Sequence, residues 1–393
     1  MEKVINTESI PVRMWLDEVE EGALAQIRNL ANFPFAFHHI VILPDCHQGY
    51  GMPIGGVLAT EKVVVPNAVG VDIGCGMSAI RTDLEEIEQG KLKNIINEIR
   101  RQIPLGFSHH KIAQNNSKMP ELKGSEFNIE QLPVISREYT NALYQLGTLG
   151  GGNHFIEIQK GSDGYIWIMI HSGSRNLGKQ VADYYNRKAK QLNQKLNIKG
   201  TFEKQLAFLP MDSTEGQKYF HEMQFCIDFA FANRKLMMET ACSIFNVEFK
   251  GKIGYNPIIN IAHNYASYEE HFGKQVFIHR KGATQAKKGE TGIIPGSQGT
   301  ESFIVKGKGN PESFESCSHG AGRQLGRKQA QRVLNLEEEV QFLESRSILH
   351  SIRNKKDLDE APGAYKDIQK VMDQQKDLVE ILVKLTPLAV VKG

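Results

Sequence analysis

The sequence predicts an α+β fold, on two observations. Apolar, strand-like runs end in glycine-rich turns, as in HHIVILPDCHQGYG, NAVGVDIGCGM, YQLGTLGGGNHFIEIQ and IIPGSQGTESFIVKG. Amphipathic helical stretches lie elsewhere, with no regular β-α-β alternation. No composition shift marks a boundary in the 393 residues. Residues 1–393 are therefore read as a single large domain, with central β-sheets and peripheral helices.

Apolar residues at helical spacing predict helices within 83–103, 217–245, 326–344 and 364–385. The segment 108–133, SHHKIAQNNSKMPELKGSEFNIEQLP, is polar and irregular and reads as a flexible excursion. Net charge is +2, so bulk charge does not announce a nucleic-acid binder, although a local basic groove remains open to the chain. Five cysteines at irregular spacing, without C-x-x-C, argue against a disulfide framework and for a reducing, cytoplasmic setting. The opening MEKVINTESIPVRMWLDE has no apolar core of the signal-peptide kind, and no run of 18 apolar residues predicts a membrane span. The number of subunits is left open, with a monomer as the default.

The stretch GVDIGCGMS places Asp72 and Cys75 three residues apart among glycines. The run NHFIEIQKGSDGYIWIMIHSGSR reads as a hairpin of strands 154–159 and 165–171. Pairing about the centre of the turn sets Ile156 opposite Met169, Ile158 opposite Trp167 and His154 opposite His171, bringing two histidines to one open end. His263 ends another apolar strand, in NIAHN, and His319 lies in SCSHGAGR just before a helical stretch. The free N–H groups of that helix, with Arg323, would favour an anion there. One Asp, one Cys and three His suit one or two divalent transition ions, and the long, irregular spacings do not suit a zinc finger.

Several motifs are absent or deceptive. There is no phosphate-binding P-loop, and GCGMSA is not a dinucleotide fingerprint. KGSDG serves as turn chemistry and HSGSR is no nucleophile elbow. Asp45 and His47 in PDCHQG suit acid–base work, and a strand-end turn stabilised by an Asp side chain accounts for them equally well. Cys46, Cys226, Cys242 and Cys317 read as structural, and His109, His110, His221 and His350 have no nameable partners.

GVDIGCGM, LGTLGGGNHFIEI, HSGSRNLG, AHN, IPGSQGTESFIVKG, SHGAGR and the final VVKG follow one another in an order that resembles the RtcB-type RNA ligases. The likeness spans nearly the whole chain. It implies that family's fold and a reaction using GTP and two Mn2+ ions to join RNA 3′-phosphate or 2′,3′-cyclic phosphate ends to 5′-hydroxyl ends. Asp72, Cys75 and His154 would hold one ion. Cys75, His171 and His263 would hold the other, with Cys75 shared. His319 would be the nucleophile that takes GMP. Asn153, His154, Phe155, Ile156, Glu157, His263, Asn264, Pro295, Gly296, Ser297, Gln298, Ser302, His319, Gly320, Ala321 and Gly322 match guanylate-binding segments, and Lys392 matches a lysine that reads the guanine base. Arg175 and Arg323 suit RNA phosphates. The alternative is a dinuclear-metal phosphodiesterase or phosphatase acting on nucleic-acid ends. His319 and Lys392 favour the ligase, since a hydrolase has no use for a guanine-reading lysine.

Overall fold

β-branched runs that close in glycine turns assemble into two main sheets. The computed structural model describes residues 3–393 apart from 123, 197, 199, 200, 202, 203 and 252. The first sheet has the strand order Lys3–Ile5, Val12–Met14, Ala36–Tyr50, Met52–Thr60, Lys274–Lys281, Asn264–His271. The second runs Ile259–Ala262, Gly76–Arg81, Ile166–Ser172, Phe155–Gly161, Val379–Lys392, Ser302–Gly307, Thr291–Ile294, with every neighbour antiparallel. His263 is the single residue between strand Ile259–Ala262 of one sheet and strand Asn264–His271 of the other, so it sits where the chain changes sheets.

The hairpin forms, but one residue out of the expected register. Phe155 pairs with His171, Ile156 with Ile170 and Ile158 with Ile168. The turn is shorter than assumed: Gly161 N–H donates to Tyr165 O, and the Asp163 carboxylate accepts from Tyr165 N–H and the Trp167 indole. This register gathers Ile156, Ile158, Ile168 and Ile170 on one fully buried face, each worth about 1.5–3 kcal/mol of apolar burial. Helix Gln89–Gln102 covers that face through Leu92, Ile95 and Ile99, together with the 35-residue helix Thr214–Glu248. The opposite face carries Met77, Trp167 and Met169.

Three further expectations change. Residues 326–344 form two helices, Arg327–Val333 and Leu336–Glu344, because the Asn335 side chain accepts from Glu337 N–H and caps the second. The helix read over 364–385 is only Ile368–Gln374, and Val379–Lys392 is a strand. Its β-branched residues pair between two long neighbours, with Pro387 at a break in register, so tertiary pairing overrides a weak helical pattern. Helix Arg175–Lys195 was not anticipated, although Leu177, Val181 and Tyr185 mark its buried stripe. The described residues of 108–133 form two short 3-10 turns and pack through Met119, Leu122, Phe127, Ile129 and Leu132.

One buried ion pair braces the segment that leads to His319. Arg280 is fully buried, pairs with Glu269, and donates to Ser316 Oγ at 2.9 Å and Phe314 O at 3.0 Å. Arg280→Met leaves the buried Glu269 carboxylate with only His271 and Ser267 bonded to it, and should destabilise the fold by about 3–5 kcal/mol. Thermal unfolding measures this, and an unchanged melting temperature would show that the pair does not brace the sheet.

Candidate active site

The glycine-rich stretch makes a tight turn that aims two unlike ligands. Cys75 N–H donates to Asp72 O at 3.1 Å, and Gly74 N–H to Asn264 O at 2.8 Å. Gly74 has φ +75°, and a Cβ there would lie 2.8 Å from the backbone of Ile227 in the long helix, so only glycine closes the turn. Asn264 returns a bond from its amide to Asp72 O at 3.1 Å and accepts from Gly282 N–H at 2.8 Å. Arg234, fully buried in the long helix, donates to Gly74 O at 3.0 Å, Ser172 O at 2.8 Å and Asn260 Oδ1 at 2.7 Å. One guanidinium thus ties the turn, the strand end at His171 and the strand leading to His263. Nothing in the sequence marked it among helical positions.

The five expected ligands converge. Cys75 Sγ lies 3.4 Å from His154 Nε2 and 3.3 Å from His171 Nε2. His171 Nε2 lies 3.4 Å from His263 Nε2, and His154 Nε2 lies 3.1 Å from Asp72 Oδ2. They form two groups, Asp72/Cys75/His154 and Cys75/His171/His263, that share the sulfur. His171 Nδ1 donates to Asn153 O at 3.0 Å, which leaves its Nε2 lone pair facing the cluster. Burial holds His171 and His263 well below the ordinary imidazole value, so both are neutral electron-pair donors. Burial, with Asp72 beside it, pushes the Cys75 thiol well up, so a cation binding there has to displace the thiol proton. Carboxylate, thiol and imidazoles converging on shared points fit divalent transition ions.

His319 meets this cluster just after strand Ser316–Ser318, which pairs with Ala283–Gln285 in a small separate sheet. Its Nδ1 lies 2.6 Å from Asp45 Oδ2, which also accepts from His319 N–H at 3.0 Å. Asp45 is fully buried. The pairing fixes the imidazole with its proton on Nδ1 and leaves Nε2 free. The ring centroids of His319 and His263 are 4.8 Å apart. Asp45 therefore has a specific partner, not only a turn to stabilise. His47 is held below the ordinary range, at about 4, by burial, and lines the same cavity.

That cavity, of about 420 Å³, is lined by Asp72, Cys75, His171, His263 and His319, and at its far end by Glu360, Tyr365 and Lys392. Of the residues matched to guanylate segments, Asn153, Phe155, Glu157, Asn264, Pro295 to Gln298 and Gly320 to Gly322 also line it. Ile156 points into the core, and Ser302 Oγ supports Gly296 N–H from behind at 3.1 Å. The C-terminal strand sets Lys392 opposite Phe155, with Nζ 5.8 Å from the ring centre and 3.5 Å from Glu360 Oε2. Burial alone would raise Glu360; Lys392, Arg327 and Arg323 more than offset it and hold the carboxyl below its usual range. Glu360, Tyr365 and Arg327 were not anticipated, because they come together only in the folded chain.

One arginine expectation changes, that of an anion held by Arg323 and the following helix. Arg323 is spent on Glu360 at 3.1 Å and Leu325 O at 3.0 Å, and the next helix starts only at Arg327, so neither offers an anion site beside His319. Arg175 donates to Thr148 Oγ1 and Gly106 O, both at 2.9 Å, and lies on the other side of Asp72 and His154, against a second cavity. All five thiols are free. Among the described residues no helix is long and apolar enough to cross a membrane.

The family model described as tRNA-splicing ligase RtcB matches residues 26–393. The chain is 37% identical to the RNA-splicing ligase RtcB of Escherichia coli strain K12, covering 100% of this chain and 99% of that one. It is 33% identical to the tRNA-splicing ligase RtcB of Methanococcus maripaludis and 31% identical to that of Thermococcus kodakarensis, in each case over 98% of this chain and 95% of the relative.

Proposed function

The chain belongs to the RtcB family, and from that premise we propose that it is a GTP- and Mn2+-dependent RNA ligase of the cytoplasm, acting through a covalent histidine–GMP intermediate. Residues 1–393 work as one catalytic domain. The enzyme joins 3′-phosphate or 2′,3′-cyclic phosphate ends to 5′-hydroxyl ends, in tRNA splicing or RNA repair. The observation that carries this is the free Nε2 of His319, held by Asp45 in the same cavity as Asp72, Cys75, His171, His263 and Lys392.

Asp72, Cys75 and His154 would hold one ion, and Cys75, His171 and His263 the other. Bound there, two divalent cations supply Lewis-acid stabilisation of charge on phosphoryl oxygens. His319 Nε2 attacks the α-phosphorus of GTP: a P–N bond forms, the bond to the β-phosphate oxygen breaks, and pyrophosphate leaves. Asp45 keeps the Nδ1 proton in place and stabilises the charge that builds on the ring. A cyclic phosphate end is opened by water to a 3′-phosphate. That phosphate takes the guanylate from His319, and the 5′-hydroxyl of the second strand then displaces GMP to form a 3′,5′-phosphodiester. The test is incubation of such a pair of RNA ends with GTP and Mn2+. Joined RNA supports the ligase; a 3′-hydroxyl end with no joined product supports the phosphatase.

Glu157 and Lys392 are assigned to the guanine base. Burial pushes the Glu157 carboxyl up to about 8. Guanine offers N–H donors that an ionised carboxylate accepts, so binding draws off the Glu157 proton. Affinity for guanosine, which has no phosphate to titrate, should rise about tenfold from pH 6 to 7 and level off above 8. Glu157→Gln should flatten the profile. A flat wild-type profile in a binding titration would remove Glu157 from base reading.

A further inference from the structure

Asn233 and Arg234 are consecutive, fully buried polar residues in the middle of helix Thr214–Glu248. Consecutive helical side chains diverge by about 100°, so the pair can serve two different parts of the cluster. Burying polar groups costs free energy unless hydrogen bonds offset it, and these two direct theirs at the segments that carry the ligands. Arg234 donates to Gly74 O, one residue before Cys75, to Ser172 O, one residue after His171, and to Asn260 Oδ1, in the strand that leads to His263. His263 N–H in turn donates to Cys75 O at 2.8 Å. Cys75, His171 and His263 are the three members of one ligand group. Asn233 faces the other group. Its Oδ1 accepts from Gly147 N–H at 2.7 Å and Thr148 N–H at 3.1 Å, and its Nδ2 donates to Gly173 O at 3.1 Å and Ser172 Oγ at 3.2 Å. Gly173 packs against Asp72, since a Cβ there would lie 2.3 Å from Asp72 Oδ1. Gly150, three residues on from Gly147, packs against His154, since a Cβ there would lie 2.5 Å from His154 Nδ1.

We propose that Arg234 and Asn233 are positioning residues that set the affinities of the two ion sites separately, Arg234 for Cys75/His171/His263 and Asn233 for Asp72/Cys75/His154. This rests on the two-ion reading above and on none of the ligation steps. Each ion needs ligands from chain segments far apart in sequence, so their spacing has to be fixed before the ion arrives. A guanidinium is a rigid planar fork of donors, and here one such plane fixes the relative placement of three segments. A lysine keeps the charge but cannot reach all three acceptors at once, so the segments drift and the cost of ordering them falls on the ion. The Asn233 amide accepts on one side and donates on the other. A carboxylate of the same shape only accepts, so Asn233→Asp sets an oxygen against Gly173 O and loosens the backbone beside Asp72. Cys75 belongs to both groups, so each residue reaches the opposite site through that one ligand and affects it less.

The test is Mn2+ uptake by the full chain, read as loss of the free-ion electron paramagnetic resonance signal, in two backgrounds. His154→Ala keeps Cys75, His171 and His263 intact, and His263→Ala keeps Asp72, Cys75 and His154 intact. Arg234→Lys should weaken the ion that remains in His154→Ala by about 10–100-fold, and the ion that remains in His263→Ala by less than about threefold. Asn233→Asp should do the reverse. Asn260→Ala removes a single acceptor of Arg234 and leaves the guanidinium in place. It should shift affinity in the His154→Ala background in the same direction, which keeps the question answerable should Arg234→Lys fail to fold. A residue that only braced the helix would lower the melting temperature without favouring either site. Equal weakening in both backgrounds therefore overturns the proposal, and so does unchanged affinity in both. Wild-type protein that takes up no Mn2+ removes the two-ion reading itself, and this proposal with it.

Discussion

Wild-type protein incubated with α-labelled GTP and Mn2+ should keep its label through denaturation, and His319→Ala should keep none. The loss should exceed about 10⁴-fold, because removal of a covalent nucleophile leaves only binding and electrostatic contributions. The Asp45 contact sharpens the expectation. His319 Nδ1 and N–H both bond to Asp45 Oδ2, so Asp45→Asn keeps the shape while offering an amide that can present its N–H to Nδ1. That favours the tautomer with the proton on Nε2, the wrong nitrogen for attack. Guanylylation should fall by roughly 10²–10⁴-fold with the fold intact. Equal labelling of His319→Ala and wild type would move the nucleophile elsewhere. Full activity in Asp45→Asn would show that the tautomer is not set by this bond.

Cys75→Ala should be the second severe change. Its sulfur is common to both ligand groups, so one substitution removes a donor from each. Affinity for Mn2+ should weaken by at least about 100-fold and guanylylation should disappear. Circular dichroism should stay unchanged, because the thiol adds no hydrogen bond to either sheet's backbone ladder. Chelation of the wild-type protein should reproduce the same loss, and added Mn2+ should restore activity to the wild type but not to the variant. Metal uptake should also release protons, since the Cys75 thiol stands well above its ordinary value when burial and Asp72 act on it alone. Binding stoichiometry that stays at two ions in Cys75→Ala would remove the shared-sulfur arrangement.

The five clustered side chains were legible because each stands at a strand end or in a glycine-rich turn, where a functional side chain gains nothing from packing. Asp72 and Cys75 in their glycine turn, and the histidines at the ends of three separate strands, were legible for that reason. The pairing of His154 with His171 was legible in outcome and wrong in detail. Their rings come within 5.3 Å, yet Phe155, not His154, faces His171. Turn length sets register, and a one-residue difference in KGSDG cannot be read from composition. The C-terminal strand failed for a different cause: VEILVKL fits either period, and only its neighbours, Phe155–Gly161 and Ser302–Gly307, decide the matter. Asp45 and His319 are 274 residues apart, and Arg234 lies within a long helix, so no local pattern could join either to the site. Lys392 was placed by family likeness alone, since a lysine near a chain end carries no signal of its own.

The central claim, that guanylate passes through His319 to an RNA end, is tested most directly by a single-turnover chase. Protein is labelled with GTP and Mn2+, freed of unbound nucleotide, and mixed with 3′-phosphate and 5′-hydroxyl RNA strands. Label should leave the protein, appear on the 3′ strand, and be released as GMP in step with joined RNA. Label that stays on the protein while RNA is joined, or RNA that is joined only when fresh GTP is supplied, would contradict it.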